Sequence, residues 1–448
     1  MSSPSTVIVR PARAVQGLVR IPGDKSISHR YALLSAIARG TSRFHNFSAA
    51  RDCASTLGCM TVLGASWRRT GPSQTNPAHT DPAHKGDTAI EVTGIGPKLS
   101  APAAALDCGN SGSTMRMLSG ILAGQPFTSE LLGDESLSRR PMARVIKPLT
   151  EMGATISAAE GERPPLKIHG GPLRAIHYKP EVASAQVKSC VLFAGLFADG
   201  ETIVEEPIRT RDHGERALQA FGAEVKCEGN TARIRGGQPL TAIEAHVPGD
   251  LSSAAFFLCA AALFPASQLS LPGILMNPTR ARLLDILILM GLKIFVAQVE
   301  QHHGELVGAI EARGDQWLGG TISGADTAAL IDEIPVLAAV APYSENGLEV
   351  RDAKELRVKE SDRIAAVAAN LRKMGAEVEE RPDGLRIRGR QRLHGAEVDS
   401  FGDHRIAMAF AVTALRADGE TCIRGADAAG VSYPTFFIDL RSIAGQSG

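Results

Sequence analysis

The sequence predicts an α/β protein made of two related halves that together hold six similar units, and three observations carry that prediction. The chain has 448 residues, more than the roughly 250–300 that a single core usually sustains. Ile21-Pro22-Gly23-Asp24-Lys25-Ser26 is echoed by Val247-Pro248-Gly249-Asp250-Leu251-Ser252, close to half the chain later. A Gly-Ala signature also closes one amphipathic stretch after another. Its copies are Leu63-Gly64-Ala65, Met152-Gly153-Ala154, Phe221-Gly222-Ala223, Met290-Gly291-Leu292 and Met374-Gly375-Ala376, followed by a degenerate Ile443-Ala444-Gly445, and the intervals between them are nearly regular.

Each copy of the first echo reads as a strand end, a Pro-Gly turn, a capping Asp or Ser, and the start of a helix. In the Gly-Ala signature the glycine stands where a helix ends and a left-handed residue costs little. After three of the copies a strand-like stretch follows, as in Ala223-Glu224-Val225-Lys226. Six units of about 75 residues are too large for a solenoid repeat. Between Gly71 and Asp87, Pro, Thr, His and Gly cluster. This stretch, 71–87, reads as a surface loop inserted in the first unit, with His79 and His84 solvated. Ala254 to Leu263, the most apolar run, is shorter than the ~20 residues of a membrane span and reads as a buried helix.

Charge and cysteine content exclude several classes. Lys and Arg number 48 and so do Asp and Glu, which disfavours a polyelectrolyte partner such as nucleic acid. The seven cysteines are scattered, with no Cys-x-x-Cys pair, so neither a zinc site nor a disulfide framework is expected and a reducing compartment fits. Met1 to Gln16 lacks the continuous apolar core of a signal peptide.

Four predicted helix starts share a small polar cap with basic residues close behind: Gly23 to Arg30, Gly109 to Arg116, Ser184 to Lys188, and Lys359 to Arg363. Cations are unfavourable at the positive end of a helix unless an anion neutralises both, so the repetition points to anion sites. Asn110-Ser111-Gly112-Ser113-Thr114 is similar to a phosphate cradle but lacks the Gly-Lys-Ser/Thr ending of a nucleotide loop, which favours a small phosphoester over ATP. Arg139 and Arg140 precede Pro141, a residue able to open a helix, and offer guanidinium forks for carboxylate or phosphate. Two carboxylates, Asp332 and Glu360, stand among these cations. Nearby cations would keep such a group ionised and basic, whereas desolvation would make it an acid; a helix-capping Asp332 and a surface-paired Glu360 are the plainer alternatives. At Asp403-His404-Arg405 no second His or Cys stands at ligand spacing, so Asp403 and His404 read as a capping and orienting pair and Arg405 as directed at an anion.

In combination these strings resemble the 5-enolpyruvylshikimate-3-phosphate synthases, closer to their bacterial class II branch. The resemblance runs from Pro22 to Pro434 through Pro-Gly-Asp-Lys-Ser-Ile-Ser-His-Arg at 22–30, Arg-Pro-Met at 140–142, Ser-Ala-Gln-Val-Lys-Ser at 184–189, Arg-Val-Lys-Glu-Ser-Asp-Arg at 357–363 and Asp-His-Arg at 403–405. It implies an inside-out α/β barrel fold of two domains, each with three βαββαβ units around a pseudo-threefold axis. Residues 1–22 plus 247–448 would form one domain and 23–246 the other, with hinges near 22 and 247 and helix N-termini from both halves facing a cleft.

The resemblance also implies a reaction, the transfer of the enolpyruvyl group of phosphoenolpyruvate to the 5-hydroxyl of shikimate 3-phosphate with release of phosphate, without metal or organic cofactor. Lys25, Ser26, Arg30, Ser184, Ala185, Gln186, Arg211, Asp332 and Lys359 would bind shikimate 3-phosphate. Lys25, Gly112, Arg140, Gln186, Arg363 and Arg405 would hold phosphoenolpyruvate. Asp332 would take the proton of the attacking hydroxyl, Glu360 would serve proton transfer at the methylene carbon, and Lys25 would reach both substrates. A cytoplasmic monomer, with no nucleic-acid or membrane partner, is expected. Two comparisons with family patterns matter. Val431 stands where many members have a lysine, and Gly112 stands where some herbicide-tolerant members carry alanine, so glyphosate is expected to compete with phosphoenolpyruvate. The alternatives are the sister enzyme acting on UDP-N-acetylglucosamine, which uses a reactive loop cysteine, with Cys108 near a suitable loop, and a non-catalytic anion-binding homologue.

Overall fold

A computed structural model describes residues 5–71 and 89–446; apart from Gly71, the inserted segment 71–87 with His79 and His84 lies outside the described residues. The chain divides into two compact units. Unit 1 comprises residues up to 22, 248–300 and 306 onwards, and unit 2 comprises 23–247 with the short segment 301–305.

Unit 2 holds helices α1 (Lys25–Ile37), α2 (Arg51–Val62), α3 (Gly112–Ala123), α4 (Ala143–Met152), α5 (Ala185–Gly195) and α6 (His213–Ala220). Unit 1 holds α7 (Leu251–Ala262), α8 (Arg282–Leu289), the short α9 (Ala325–Ala329), α10 (Ile334–Val340), α11 (Arg363–Lys373), α12 (His404–Ala414) and α13 (Phe436–Ile443). In each unit buried and amphipathic helices alternate. Every residue of α7 and α10 is buried, and α1, α3, α5 and α12 are buried almost throughout. By contrast α4, α6 and α8 bury one stripe, the pattern of a helix lying between core and solvent. Phe256, Phe257 and Leu258 of α7 are at most 2% exposed, each contributing about 1.5–3 kcal/mol. The stretch 254–263 therefore forms the buried helix its composition predicts, and among the described residues no helix is long and apolar enough to cross a membrane.

The sheets repeat as the helices do. Leu106–Asp107 pairs in parallel with Thr128–Leu132, which is followed by antiparallel Arg163–His169 and Thr155–Ala159. The same arrangement recurs in His177–Tyr178, Glu201–Glu205, Thr231–Arg235 and Val225–Glu228, and in Gly320–Ile322, Leu348–Val350, Gly384–Ile387 and Val378–Arg381. A buried helix connects each parallel pair and an amphipathic helix follows, so a repeat has two helices and up to four strands. In two repeats the parallel edge strand comes from a distant part of the sequence. Gln16–Leu18 pairs with Gln268–Leu275 in unit 1, and Glu244–His246 pairs with Arg39–His45 in unit 2. The strand before α1 and the strand before α7 are thus exchanged between the units, which explains why the Pro-Gly-Asp echo stands immediately before both helices.

The Gly-Ala signature has one structural meaning. Gly64, Gly153, Gly222, Gly291, Gly375 and Gly445 all have positive φ and follow α2, α4, α6, α8, α11 and α13, the amphipathic helix of each repeat. The surroundings differ: a Cβ at Gly153 would come no closer than 3.4 Å to any atom, the Pro172 carbonyl oxygen, whereas at Gly291 it would collide with the Gln316 carbonyl oxygen. Gly153→Ala is expected to cost about 1–2 kcal/mol from the left-handed conformation alone. Gly291→Ala should cost roughly 3 kcal/mol or more, since backbone must also shift. Denaturant titration of the two variants checks the order.

Candidate active site

Unit 2 gathers its predicted anion-binding residues at the starts of α1, α3 and α5. Asp24, Ser111 and Ser184 cap these helices by accepting from the backbone amides of Ile27, Thr114 and Val187. No acidic residue stands in the first turn of any of them; the positive end of α1 has the carboxylate of its cap Asp24, whereas α3 and α5, capped by serines, are left without a counter-charge of their own. Side chains stitch the three starts together. Gln186 accepts from Arg116 Nη1 at 2.9 Å and donates to Ser113 Oγ at 2.7 Å, joining α5 to α3. Arg30, 3% exposed, donates to Ser189 Oγ at 2.9 Å and to the Ser26 carbonyl at 2.8 Å, joining α1 to α5. Lys25 meets Asp52 of α2 at 3.0 Å. Arg140 donates to Asn110 and Ser136, each at 3.1 Å.

Cationic charge dominates these starts. Burial pulls Arg30 down, Glu215 and Asp24 offset part of this and Arg211 adds to it, leaving the guanidinium at about 10. At neutral pH the guanidinium stays charged, and a phosphate beside Arg30 and Arg211 would stabilise both. A Cβ placed on Gly112 would lie 2.9 Å from Arg116 Nη1 and 3.5 Å from Arg140 Nη1, so the backbone at the start of α3 faces two guanidiniums. The role of Arg116 is not apparent from the family motifs; its signal in the sequence is its place one turn after Gly112.

Two of the residues expected at these starts lie elsewhere. Lys188 does not face an anion site: it is 3% exposed and bonded to Glu206 at 2.7 Å and Glu215 at 2.8 Å, because a lysine at the fourth position of a buried helix is turned inward. Pro141 does not open a helix at its first position, since α4 begins at Ala143 with Met142 before it. Accordingly the Arg139–Arg140 pair splits, with Arg139 exposed and bonded to Glu135 and only Arg140 reaching the Asn110 turn.

Unit 1 brings together Asp332, Lys359, Glu360, Arg363 and Arg405. Arg363, its side chain 1% exposed, lies against three carboxylates: Glu360 at 2.6 Å, Asp403 at 2.8 Å and Asp332 at 3.6 Å. Lys359 Nζ is 3.7 Å from Asp332. Arg405 donates to the Asp332 carbonyl at 2.7 Å, and Asp403 caps α12 by accepting from the Arg405 amide. Ser252 at the start of α7 donates to Glu333 just before α10. The plainer readings of the two carboxylates do not hold. The residue before α10 is Glu333, which makes no side-chain cap, while Asp332 and Glu360 are each 20% exposed and lie beside Arg363. Burial pulls Arg363 down, but Asp403, Glu360 and Asp332 more than compensate, and its pKa is raised. For Asp403 burial pushes upward and the charge of Arg363 prevails, holding the carboxyl below its usual range.

Among the described residues, Asp212, His213 and Glu305 of unit 2 have spacing that could suit a metal. Arg216, 2.9 Å from Asp212 and 3.9 Å from Glu305, supplies positive charge to both carboxylates. Cys108 is fully buried; its contact with Cys59 and its burial raise the thiol pKa far above the ordinary value, so it is not the reactive thiolate that the UDP-sugar alternative calls for.

The family model for EPSP synthase (3-phosphoshikimate 1-carboxyvinyltransferase) matches residues 9–440. The chain belongs to the EPSP synthase family. It is 60% identical to the 3-phosphoshikimate 1-carboxyvinyltransferase of Koribacter versatilis (strain Ellin345), covering 98% of this chain and 99% of that one. To the Solibacter usitatus (strain Ellin6076) enzyme of the same description it is 54% identical, covering 97% and 99%. A solved EPSP synthase from Acinetobacter baumannii superposes with a TM-score of 0.84 at 40% identity, covering 98% of each chain. The two-domain inside-out α/β fold is that of the family.

Because a depressed carboxyl pKa stabilises the fold at pH above the unfolded value of about 3.9, the contribution of Asp403 is present at neutral pH. It is lost as pH falls through the folded value. Asp403→Asn is expected to destabilise unit 1 by roughly 3–5 kcal/mol at pH 7, and the deficit should shrink below about pH 4. Urea titrations of both proteins across pH measure this.

Proposed function

We infer that this chain is a 3-phosphoshikimate 1-carboxyvinyltransferase working through two sets of residues, one in each unit. The observation that carries the reading is chemical division: unit 2 collects cations about helices whose first turns hold no acidic residue, whereas unit 1 collects carboxylates held beside cations. The first suits anion binding and the second suits proton transfer.

Lys25, Ser26, Arg30, Ser184, the Ala185 backbone, Gln186, Arg211, Asp332 and Lys359 bind shikimate 3-phosphate. Gly112, Arg140 and Gln186, with Lys25, Arg363 and Arg405, hold phosphoenolpyruvate. Asp332, beside Lys359 and Arg363, takes the proton of the 5-hydroxyl as its oxygen attacks the enol phosphate carbon of phosphoenolpyruvate. That carbon becomes electrophilic only when the methylene is protonated, and Glu360 delivers this proton. The tetrahedral adduct then expels phosphate, which leaves with the proton held by Asp332, Glu360 recovers a proton from the methyl group, and the carbon–carbon double bond forms again, now as an enol ether on the new oxygen. Cations at the phosphates position both substrates and stabilise the leaving group. The reaction runs without metal or organic cofactor. Balanced charge and scattered cysteines support a cytoplasmic protein that handles small anions rather than nucleic acid, and it works as a monomer without a membrane partner. Val431, at the end of the short helical turn Ala426–Val431, has no side-chain donor for phosphoenolpyruvate, so that contact falls to the other cations.

Phosphate release with phosphoenolpyruvate and shikimate 3-phosphate, and none with UDP-N-acetylglucosamine, is the expected specificity. Asp332→Asn should lower turnover by about 10²–10⁴-fold while shikimate 3-phosphate still binds in calorimetry; near-normal turnover would remove Asp332 from the mechanism. With glycine at 112, glyphosate should inhibit competitively against phosphoenolpyruvate, and Gly112→Ala, whose methyl group would crowd Arg116, should weaken that inhibition in steady-state assays.

A further inference from the structure

Behind the start of α3 runs a buried line of hydrogen bonds that the proposed mechanism does not use. His29 of α1, Thr56 of α2, Thr114 of α3 and its cap Ser111 all have zero exposure. His29 Nδ1 and Thr56 Oγ1 are 2.7 Å apart, as are Thr56 Oγ1 and Thr114 Oγ1. Thr114 Oγ1 then donates to Ser111 Oγ at 2.7 Å, and Ser111 Oγ also accepts from the Thr114 amide at 3.1 Å. A hydroxyl carries a single proton, so the direction of the line is set at its Ser111 end. Thr114 gives its proton to Ser111, Thr56 gives its own to Thr114, and His29 must donate from Nδ1. The other imidazole nitrogen, Nε2, is buried with no hydrogen-bond partner, an environment that accepts a bare lone pair at lower cost than an N–H. Burial, together with the charges of Lys25 and Arg30, holds His29 well below the usual imidazole range, so this neutral form persists at working pH.

The two ends of the line are what give it consequence. His29 lies one turn after Lys25 on α1, and Ser111 is the cap immediately before Gly112. We propose that His29, Thr56 and Thr114 are positioning residues that set where α3 begins relative to α1, and with it the affinity for phosphoenolpyruvate. The inference rests on the reading that Gly112 and Arg140 contact that substrate.

Steady-state kinetics of Thr56→Val, Thr56→Ser, His29→Leu and Arg140→Gln in the full chain test it, with thermal unfolding measured beside them. Thr56→Val keeps the shape and removes the relay proton, and His29→Leu removes the first donor from a different helix. Each is expected to raise KM for phosphoenolpyruvate about 10-fold while KM for shikimate 3-phosphate stays within about twofold, and Thr56→Ser should behave as the parent does. A lower unfolding temperature with both KM values unchanged, or an equal rise in both, would make the line purely structural and overturn the proposal. If Arg140→Gln leaves KM for phosphoenolpyruvate unchanged, the underlying site assignment fails instead.

Discussion

The positive ends of buried helices are the constraint from which the rest of this protein follows. In unit 2, α1, α3 and α5 begin with no acidic residue on their first turns, only α1 having a carboxylate cap, Asp24, and the nearest side chains include Lys25, Arg30, Arg116 and Arg140. Such an arrangement is unfavourable by itself. It persists because hydrogen bonds such as Gln186 to Ser113 and Arg30 to Ser189 hold the starts together, and because hydrophobic burial of the helices below outweighs the electrostatic cost. An incoming phosphate gains what the apoprotein lacks, and that difference is binding energy.

Unit 1 uses the same scaffold for another purpose. Its helices α7, α10 and α12 also start at bonded segments, through Ser252 to Glu333 and Arg405 to the Asp332 carbonyl. Here a buried arginine, Arg363 at the start of the amphipathic helix α11, takes the central place. Arg363 pairs with carboxylates from three separate segments, and this fixes Asp332 and Glu360 relative to each other. A base and an acid for one reaction need different environments. Asp332 lies close to both Lys359 and Arg363, and Glu360 shares Arg363 with Asp403. Repetition of a fold unit thus yields two chemistries by varying the side chains near its helix starts.

Much of this was legible in the chain because it depends on local rules. The left-handed residue after each amphipathic helix must be small, so six Gly-containing signatures marked six repeats. The capping residues Asp24, Ser111, Ser184 and Asp403 stand where helix starts require an acceptor. Other features were not legible. That Lys188 turns inward while Lys25 lies at the helix start depends on rotation about the helix axis and on Glu206 and Glu215, which are distant in sequence. Arg139 and Arg140 look alike in the chain, and only the turn at Leu137–Arg139 separates their directions. The inclusion of 301–305 in unit 2 leaves no mark in composition.

By itself, then, the sequence determined the repeat number, the ends of the helices, the absence of a long apolar span and the motif residues from which family membership can be recognised, since each is set by neighbours within a few positions. Tertiary structure alone decided which charges meet. Glu360 and Arg363 share one turn of chain, but Asp332 and Asp403 reach the same guanidinium from segments far before it and far after it. The line from His29 to Ser111 likewise joins three helices. Pairings of that kind arise from how helices pack, because burial leaves a polar group no partner except whatever the fold brings beside it.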